Sequence, residues 1–172
     1  MTEPITGAAF REALSQFASG VTIVAAHHSS GPVGFTATGF SSVSLSPPLV
    51  LVCIDKEASA YGGVVAADYF GVSILDDRQA WVALQFARSG IDRFSGVPLR
   101  TSKADRAPLI DGALAHLECR KHSCLEAGDH TILLGEVLEG IVGVGRPLLH
   151  FARRFGSFVA DATDQEKLVG QS

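Results

Sequence analysis

Apolar residues recur along this chain first at a helical period and then, for most of its length, at the shorter periods of strands. Phe10, Leu14 and Phe17 stand at i, i+4 and i+7 with Ala13 and Ala18 beside them, which predicts one helix stripe. Gly20 follows as a plausible C′ residue. Val21 to Ala26 reads as a buried strand, HHSSGP as a turn, and Val33 to Thr38 as a second strand, so 21–38 predicts a hairpin. Val43 and Leu45 alternate with serines in a short half-buried strand. Pro47 and Pro48 must sit outside any strand interior, since neither donates to a ladder. Leu49 to Ile54 is a buried strand. Ser59 would cap a helix over 60–67 with Tyr61, Val64 and Val65 on one face.

Tyr69 to Leu75 predicts another strand, and Gln79 to Arg88 a helix with Trp81, Leu84 and Arg88 on one face. Residues 90–107 read as loop. From Ala113 the period is two. Ala113, Ala115, Leu117 and Cys119 point one way, and His116, Glu118, Arg120 and His122 the other. A turn over Ala127 to Asp129 leads into a strand from His130 to Val142. Gly143 to Pro147 turns again, and Leu148 to Phe151 is a last short strand. Seven or so mostly hairpin-linked strands with two or three short helices predict a mainly β, antiparallel, closed or nearly closed barrel, with helices over its openings. The domain is expected over 8–158, with 1–7 and 159–172 as flexible termini.

Composition narrows the class. The 172 residues fit one domain, and 47% hydrophobic against 19% charged is too apolar for disorder. A net charge of −4 with mixed signs and no basic stripe argues against nucleic acid. The longest apolar run, Leu49 to Ile54, is far short of the ~20 residues of a membrane helix. No basic stretch precedes an apolar core at the start, so a cytoplasmic protein is the expectation. Cys53, Cys119 and Cys124 are odd in number and read as structural. On one strand, Cys119 and Cys124 would face opposite sides about 16 Å apart.

Several chemistries have no motif here. HExxH, paired CxxC, GxxxxGK[ST], GxSxG and a strand–helix GxGxxG are missing, and GIVGVG (140–145) has its glycines in the wrong order. His116 and His122 lie too far apart on a straight strand for one metal ion, so no metal site is expected. Three stretches remain. FTATGFSSVSLS (35–46) crowds six hydroxyls into twelve residues. It reads either as solvated edge strands or as a backbone-and-hydroxyl cradle for a planar polar ligand. DKEAS (55–59) precedes a helix and reads either as a cap or as an anion site built on Lys56 and Ser59. Gly128-Asp129 is a hairpin turn signal, which by itself leaves His130 a rim residue.

In chain order these stretches are FREALSQFASGVTIVAA, GFTATGFSSVSLSPPLVLVCIDKEAS, DRFSGVP, PLIDGALAHLECR, EAGDHTILLGEV and PLLHFARRFG. Six such motifs in this order and spacing resemble the flavin reductase-like family of FMN-binding split barrels, over roughly residues 8–158. The family includes the reductase components of two-component flavin-dependent monooxygenases. The resemblance implies a dimeric, Greek-key-like antiparallel split barrel that binds FMN or FAD without a covalent bond. It implies reduction of that flavin by NADH or NADPH, and transfer of reduced flavin to a separate oxygenase.

Carried over by position, Thr36, Ala37, Thr38 and Gly39 would line the isoalloxazine, with Ser42 close by. Cys53, Ile54 and Asp55 would form the next wall, and Lys56 and Ser59 would meet the ribityl phosphate. Arg93 and Phe94 would close over the distal part of the cofactor. His130, the catalytic candidate, would face the nicotinamide. Arg153, Arg154 and Phe155 would lie near that second substrate, in the same or the partner subunit. The family often has Met where this chain has Phe35, and Tyr where it has His150 and Phe155. Phe155 keeps a ring for stacking and has no hydroxyl. Alternatives on related barrels are a flavin-binding electron carrier, a pyridoxamine-phosphate oxidase-like enzyme served by Arg153 and Arg154, and a haem binder using His130 or His150.

Overall fold

The computed structural model describes residues 4–100 and 104–160. In chain order these form α1 (Gly7–Ser15), β1 (Ser19–Gly20), β2 (Thr22–Ala26), β3 (Val33–Ala37), β4 (Phe40–Leu45), β5 (Pro48–Asp55), α2 (Tyr61–Ala66) and β6 (Tyr69–Ile74). A 3-10 turn (Asp77–Gln79) then leads into α3 (Ala80–Phe86), followed by β7 (Leu99–Arg100) and β8 (Leu109–Ile110). The chain continues through β9 (Ala115–Ala127), β10 (His130–Val142), β11 (Leu148–Phe151) and β12 (Arg154–Ser157).

Seven strands make one antiparallel sheet in the order β3-β2-β6-β9-β10-β5-β4. Its ladder is open: β3 and β4 are its two edges. Those edges are nonetheless consecutive in the chain, separated only by Thr38 and Gly39. The sheet therefore curls until its first and last strands are neighbours, and Cys53 N donates to Gly39 O at 2.8 Å, extending the β4–β5 ladder up to that junction. The expected mainly β, antiparallel class is what forms, without a continuous ladder around a barrel. Two smaller sheets, β1-β11-β12 and β7-β8, flank it.

β2 shows why the short apolar runs read as buried. All five of its residues are buried. Val24 and Ala26 join the cluster inside the curled sheet, with Val52, Ile54, Phe70 and Leu133. Ile23 joins a second cluster beneath α3, with Val82, Ala83, Phe86 and Ile110. A strand with helices or sheet on both faces loses alternation and becomes continuously apolar. In β10, Gly135 meets a strict demand: a Cβ there would lie 2.3 Å from Phe70 Cζ. The aromatic ring occupies the space a side chain would take, at a point where the β9–β10 register shifts.

Some local expectations change. Gly20 does not end α1; the C-cap is Gln16, and Gly20 pairs with Leu149 in β1. Ser59 does not cap α2, whose N-cap is Ala60 with no side-chain bond. The buried face of α3 is Val82, Ala83 and Phe86, while Trp81 and Leu84 are exposed. The face that carries Trp81, Leu84 and Arg88 is thus the solvent side of the helix. The polar face of β9 is also covered at its start: His116 and Glu118 are buried. His116 Nε2 donates to Ile110 O at 2.7 Å, and Arg106 approaches the Glu118 carboxylate at 3.5 Å. Burial holds the His116 imidazole below its ordinary pKa and pushes the Cys119 thiol up to about 12. Strand β12 went unread. Its hairpin turn, Ala152–Arg153, has both residues at positive φ without the usual Gly or Asn. Among the described residues no helix is long and apolar enough to cross a membrane.

Candidate active site

Where the two sheet edges meet, a cleft of about 560 Å³ opens. One wall is the chain passing from β3 to β4: Thr36, Ala37, Thr38 and Gly39. Gly39 brings backbone close to β5, since a Cβ on it would lie 3.1 Å from Cys53 Cβ. Cys53 and Asp55, on alternate positions of β5, supply the next wall. Arg93 and His130 complete the lining. Phe35 and Phe86 contribute apolar surface. The cleft thus combines main chain, two phenyl rings, the His130 imidazole, one guanidinium and the acidic residues Asp55 and Glu57.

Arg93 is held in place by backbone. Its Nη1 donates to Gly34 O at 2.8 Å and its Nε to Arg88 O at 2.7 Å. Burial alone lowers its pKa from the ordinary arginine value, and a guanidinium stays charged regardless. A neighbouring cavity of about 200 Å³ shares Arg93 and adds Ser59 and Phe94. Phe94 packs edge-on against Phe86, ring centroids 4.9 Å apart. The Thr36 hydroxyl does not point freely into the cleft. It donates to Ala83 O at 2.7 Å and ties β3 to α3. The cradle of hydroxyls is therefore more a cradle of main chain.

His130 is the first residue of β10, opposite Ala127 on β9 and Asp55 on β5. Its Nδ1 lies 2.8 Å from Asp129 Oδ1. An ionised carboxylate only accepts, so Nδ1 carries the proton, and in the neutral ring Nε2 is the bare acceptor. The same bond holds the Asp129 carboxyl below its usual range. The turn beneath is Gly128–Asp129, with Gly128 at φ 65°. A left-handed first position is the type II′ arrangement that matches strand twist.

Not every expected residue meets in the cleft. Ile54 points into the core, fully buried, and Ser42 lies exposed on β4 outside the cleft lining. Lys56 bonds to the β9–β10 turn instead: its Nζ pairs with the Glu126 carboxylate and donates to Gly128 O at 2.9 Å. Arg153 lines a separate apolar groove of about 680 Å³ with Phe10, Leu14, Phe17 and His150. That groove touches the other side of Thr38 and Gly39. Arg154 and Phe155 are exposed on β12, the Phe155 ring edge-on to His150 at 5.8 Å. Glu57, Ala58, Ala87 and Ser89 also line the cleft and were not foreseen. Glu57 and Ala58 lie inside DKEAS and were within reach of that motif. Ala87 and Ser89 follow α3, where the sequence carries no chemical signal.

The residues present fit a planar aromatic cofactor with an anionic tail. Main chain and small side chains give a flat wall at the β3–β4 crossing, and Arg93 stands where the cleft continues into the second cavity.

Known proteins with this sequence pattern agree with that fit. The reductase component of a 4-nitrophenol 4-monooxygenase/4-nitrocatechol 2-monooxygenase from Rhodococcus opacus is 39% identical over 157 residues, covering 91% of this chain and 84% of that protein. An NADH-dependent FAD reductase from Streptomyces globisporus is 40% identical over 169 residues, covering 95% and 92%. A solved structure of a Streptomyces globisporus NADH:FAD oxidoreductase, in complex with NAD and FAD fragments, superposes with a TM-score of 0.87 at 40% identity, over 94% of this chain and 98% of that one. The flavin reductase like domain matches residues 14–158, and this chain belongs to that family.

Proposed function

We propose that this protein is an NAD(P)H-dependent reductase of FMN or FAD that supplies reduced flavin to a separate oxygenase. One observation carries the reading. Thr36–Gly39, Cys53, Asp55, Arg93 and His130 come from four separate segments of the chain and line one cleft. When flavin and nicotinamide are bound, the cofactors themselves supply the hydride chemistry. The protein's task is to hold two rings in line and exclude water, and positioning of that kind is worth up to ~7–11 kcal/mol of barrier.

In this reading the main chain of Thr36–Gly39 lies along the flavin ring, with Cys53 and Asp55 at its edge. Arg93, with Ser59 and Phe94, receives the phosphate-bearing part in the second cavity. His130 offers Nε2 to the nicotinamide half of the second substrate. Arg153 serves that substrate from the groove behind Thr38 and Gly39. Two edge strands joined only by Thr38 and Gly39 support reading the open sheet as a split barrel. The exposed apolar stripe of α1 supports a homodimer, and three free cysteines suit a reducing cytoplasm. Arg153 and Arg154 lie outside the cleft lining, which disfavours a pyridoxamine-phosphate oxidase-like site.

Stopped-flow oxidation of NADH with excess free flavin tests the whole proposal. Many turnovers per protein are expected. Consumption of a single equivalent would overturn release of reduced flavin, and no bleaching of bound flavin would leave an electron carrier. His130→Ala is expected to raise KM for the nicotinamide about tenfold and to leave flavin Kd within about twofold.

A further inference from the structure

We infer that Lys56 and Glu126 act as a clamp that positions His130, and that Lys56 serves the nicotinamide side of the site rather than a flavin phosphate. The inference rests on the reading of His130 given above.

Beyond the β5–β10 ladder, which pairs His130 with Asp55, Lys56 ties the end of β5 to the hairpin tip at three further points. The Lys56 backbone N–H donates to Asp129 O at 3.0 Å. Its ammonium donates to Gly128 O at 2.9 Å and pairs with the Glu126 carboxylate. Asp129, the residue whose carboxylate orients the His130 ring, therefore has its own main chain fixed by the same lysine. A three-donor ammonium suits this task, because it can serve a carbonyl and a carboxylate at once.

Glu126 is in turn tethered. Thr131 Oγ1 donates to Glu126 Oε1 at 3.4 Å, and Tyr61 of α2 meets Thr131 Oγ1 at 3.0 Å. The chain of contacts thus runs from α2 through Thr131 and Glu126 to Lys56, then to Gly128, Asp129 and His130. The ion pair raises the Lys56 pKa and lowers that of Glu126, in each case chiefly through their mutual hydrogen bond. Both groups stay charged across the neutral range, so the clamp does not open with ordinary changes of pH.

This arrangement explains a position that motif reading assigned otherwise. In DKEAS, Asp55, Glu57 and Ala58 line the cleft and Ser59 the second cavity, while Lys56 between them is absent from both linings. Its side chain points across the strand pairing, toward the hairpin tip. A hairpin of two 13-residue strands ends in this turn. Without a clamp, the tip would share the mobility usual for exposed loop ends. A small displacement of a positioning group is enough to cost rate.

The test compares Lys56→Met, Glu126→Gln, their double variant and the charge swap Lys56→Glu/Glu126→Lys, with His130→Ala in parallel. Each is assayed for KM(NADH), kcat and flavin Kd, with FMN and riboflavin compared. Lys56→Met and Glu126→Gln should each raise KM(NADH) about fivefold, a size in keeping with a partly exposed charged contact. Flavin Kd and the preference for FMN over riboflavin should hold within about twofold. The double variant should be no worse than the worse single, and the swap should recover part of the loss. A rise in flavin Kd and loss of FMN preference in Lys56→Met, with Glu126→Gln silent, would make Lys56 a phosphate ligand and overturn the clamp. Normal KM in both singles beside a raised KM in His130→Ala overturns the clamp alone. Normal KM in His130→Ala overturns the assigned role of the histidine and the clamp with it.

Discussion

Helices α1 and α3 carry similar amphipathic patterns and meet different fates. In α3, Val82, Ala83 and Phe86 are fully buried against β2 and the loop carrying Phe94. In α1 no residue is buried; Phe10 and Leu14 are 51% and 54% exposed, and Phe17, just past the C-cap Gln16, is 74% exposed. Both helices touch the site: Phe86 lines the cleft, and the α1 stripe lines the groove on the other side of Thr38 and Gly39. The difference teaches that α3 belongs to the core that holds the cleft, whereas the α1 stripe is left uncovered by the described residues of this chain. Two large apolar side chains on one helix face, with Phe17 just beyond its end, exceed the scattered exposure usual on a monomer. A second copy is the occupant proposed above.

The sharpest way to break this contrast is to truncate one residue from each helix. Phe86→Ala removes a buried ring and should lower unfolding stability by ~3–5 kcal/mol in a urea titration. Leu14→Ala, in a dilute sample, should cost under ~1 kcal/mol. Equal losses would mean that α1 is already packed within one chain.

A second variant asks what covers α1. Burying Leu14 at an interface would be worth roughly 1.5–3 kcal/mol. Leu14→Glu should therefore weaken self-association at least about tenfold in sedimentation velocity, with the circular dichroism spectrum unchanged. A wild-type chain that sediments as a monomer at high concentration would sink the homodimer.

The smallest effect concerns how α3 begins. Asp76 caps the 3-10 turn that leads into it, accepting from Arg78 N at 3.1 Å and from Arg78 Nε at 2.5 Å, while Gln79 closes a capping box. Arg78 holds the Asp76 carboxyl below the usual range, first through its side-chain bond. A folded pKa below the unfolded value of ~3.9 gives stability that is present above that value and lost as pH falls through the folded pKa. Asp76→Ala should cost about 1 kcal/mol near neutrality. Its urea midpoint should then fall less than that of the wild type between about pH 4 and pH 2. Parallel curves would show that this carboxylate is not the linked group.

Strand existence was largely legible because period-two alternation and short apolar runs are local signals. The β9–β10 hairpin and its Gly128–Asp129 turn needed only alternation and one glycine at φ 65°. The Ala152–Arg153 turn was hidden because its positive φ is imposed by context rather than by residue type. Ala152 N donates to Ser15 O at 2.9 Å, fixing that turn against the end of α1. The buried face of α3 was not legible, since periodicity marks which residues share a flank without saying which flank meets the core. Within the site, the segment around Thr36–Gly39 and the pair Cys53 and Asp55 were placed by motif order. Lys56 was not, because its neighbour Glu126 lies 70 positions away in sequence.

By itself the sequence determined most of the elements, the antiparallel class and the family, and it offered candidate residues, Thr36–Gly39, Cys53, Asp55, Arg93 and His130, that line one cleft. Each follows from local spacing or from motif order along one dimension. The tertiary structure decided which of those residues share a cleft. It turned Ile54 inward, tied the Thr36 hydroxyl to α3, and set Lys56 against Glu126 and Gly128. The physical reason is that side-chain partners are chosen across the sheet, by strand order and register, and those pairings leave no periodic trace in the chain.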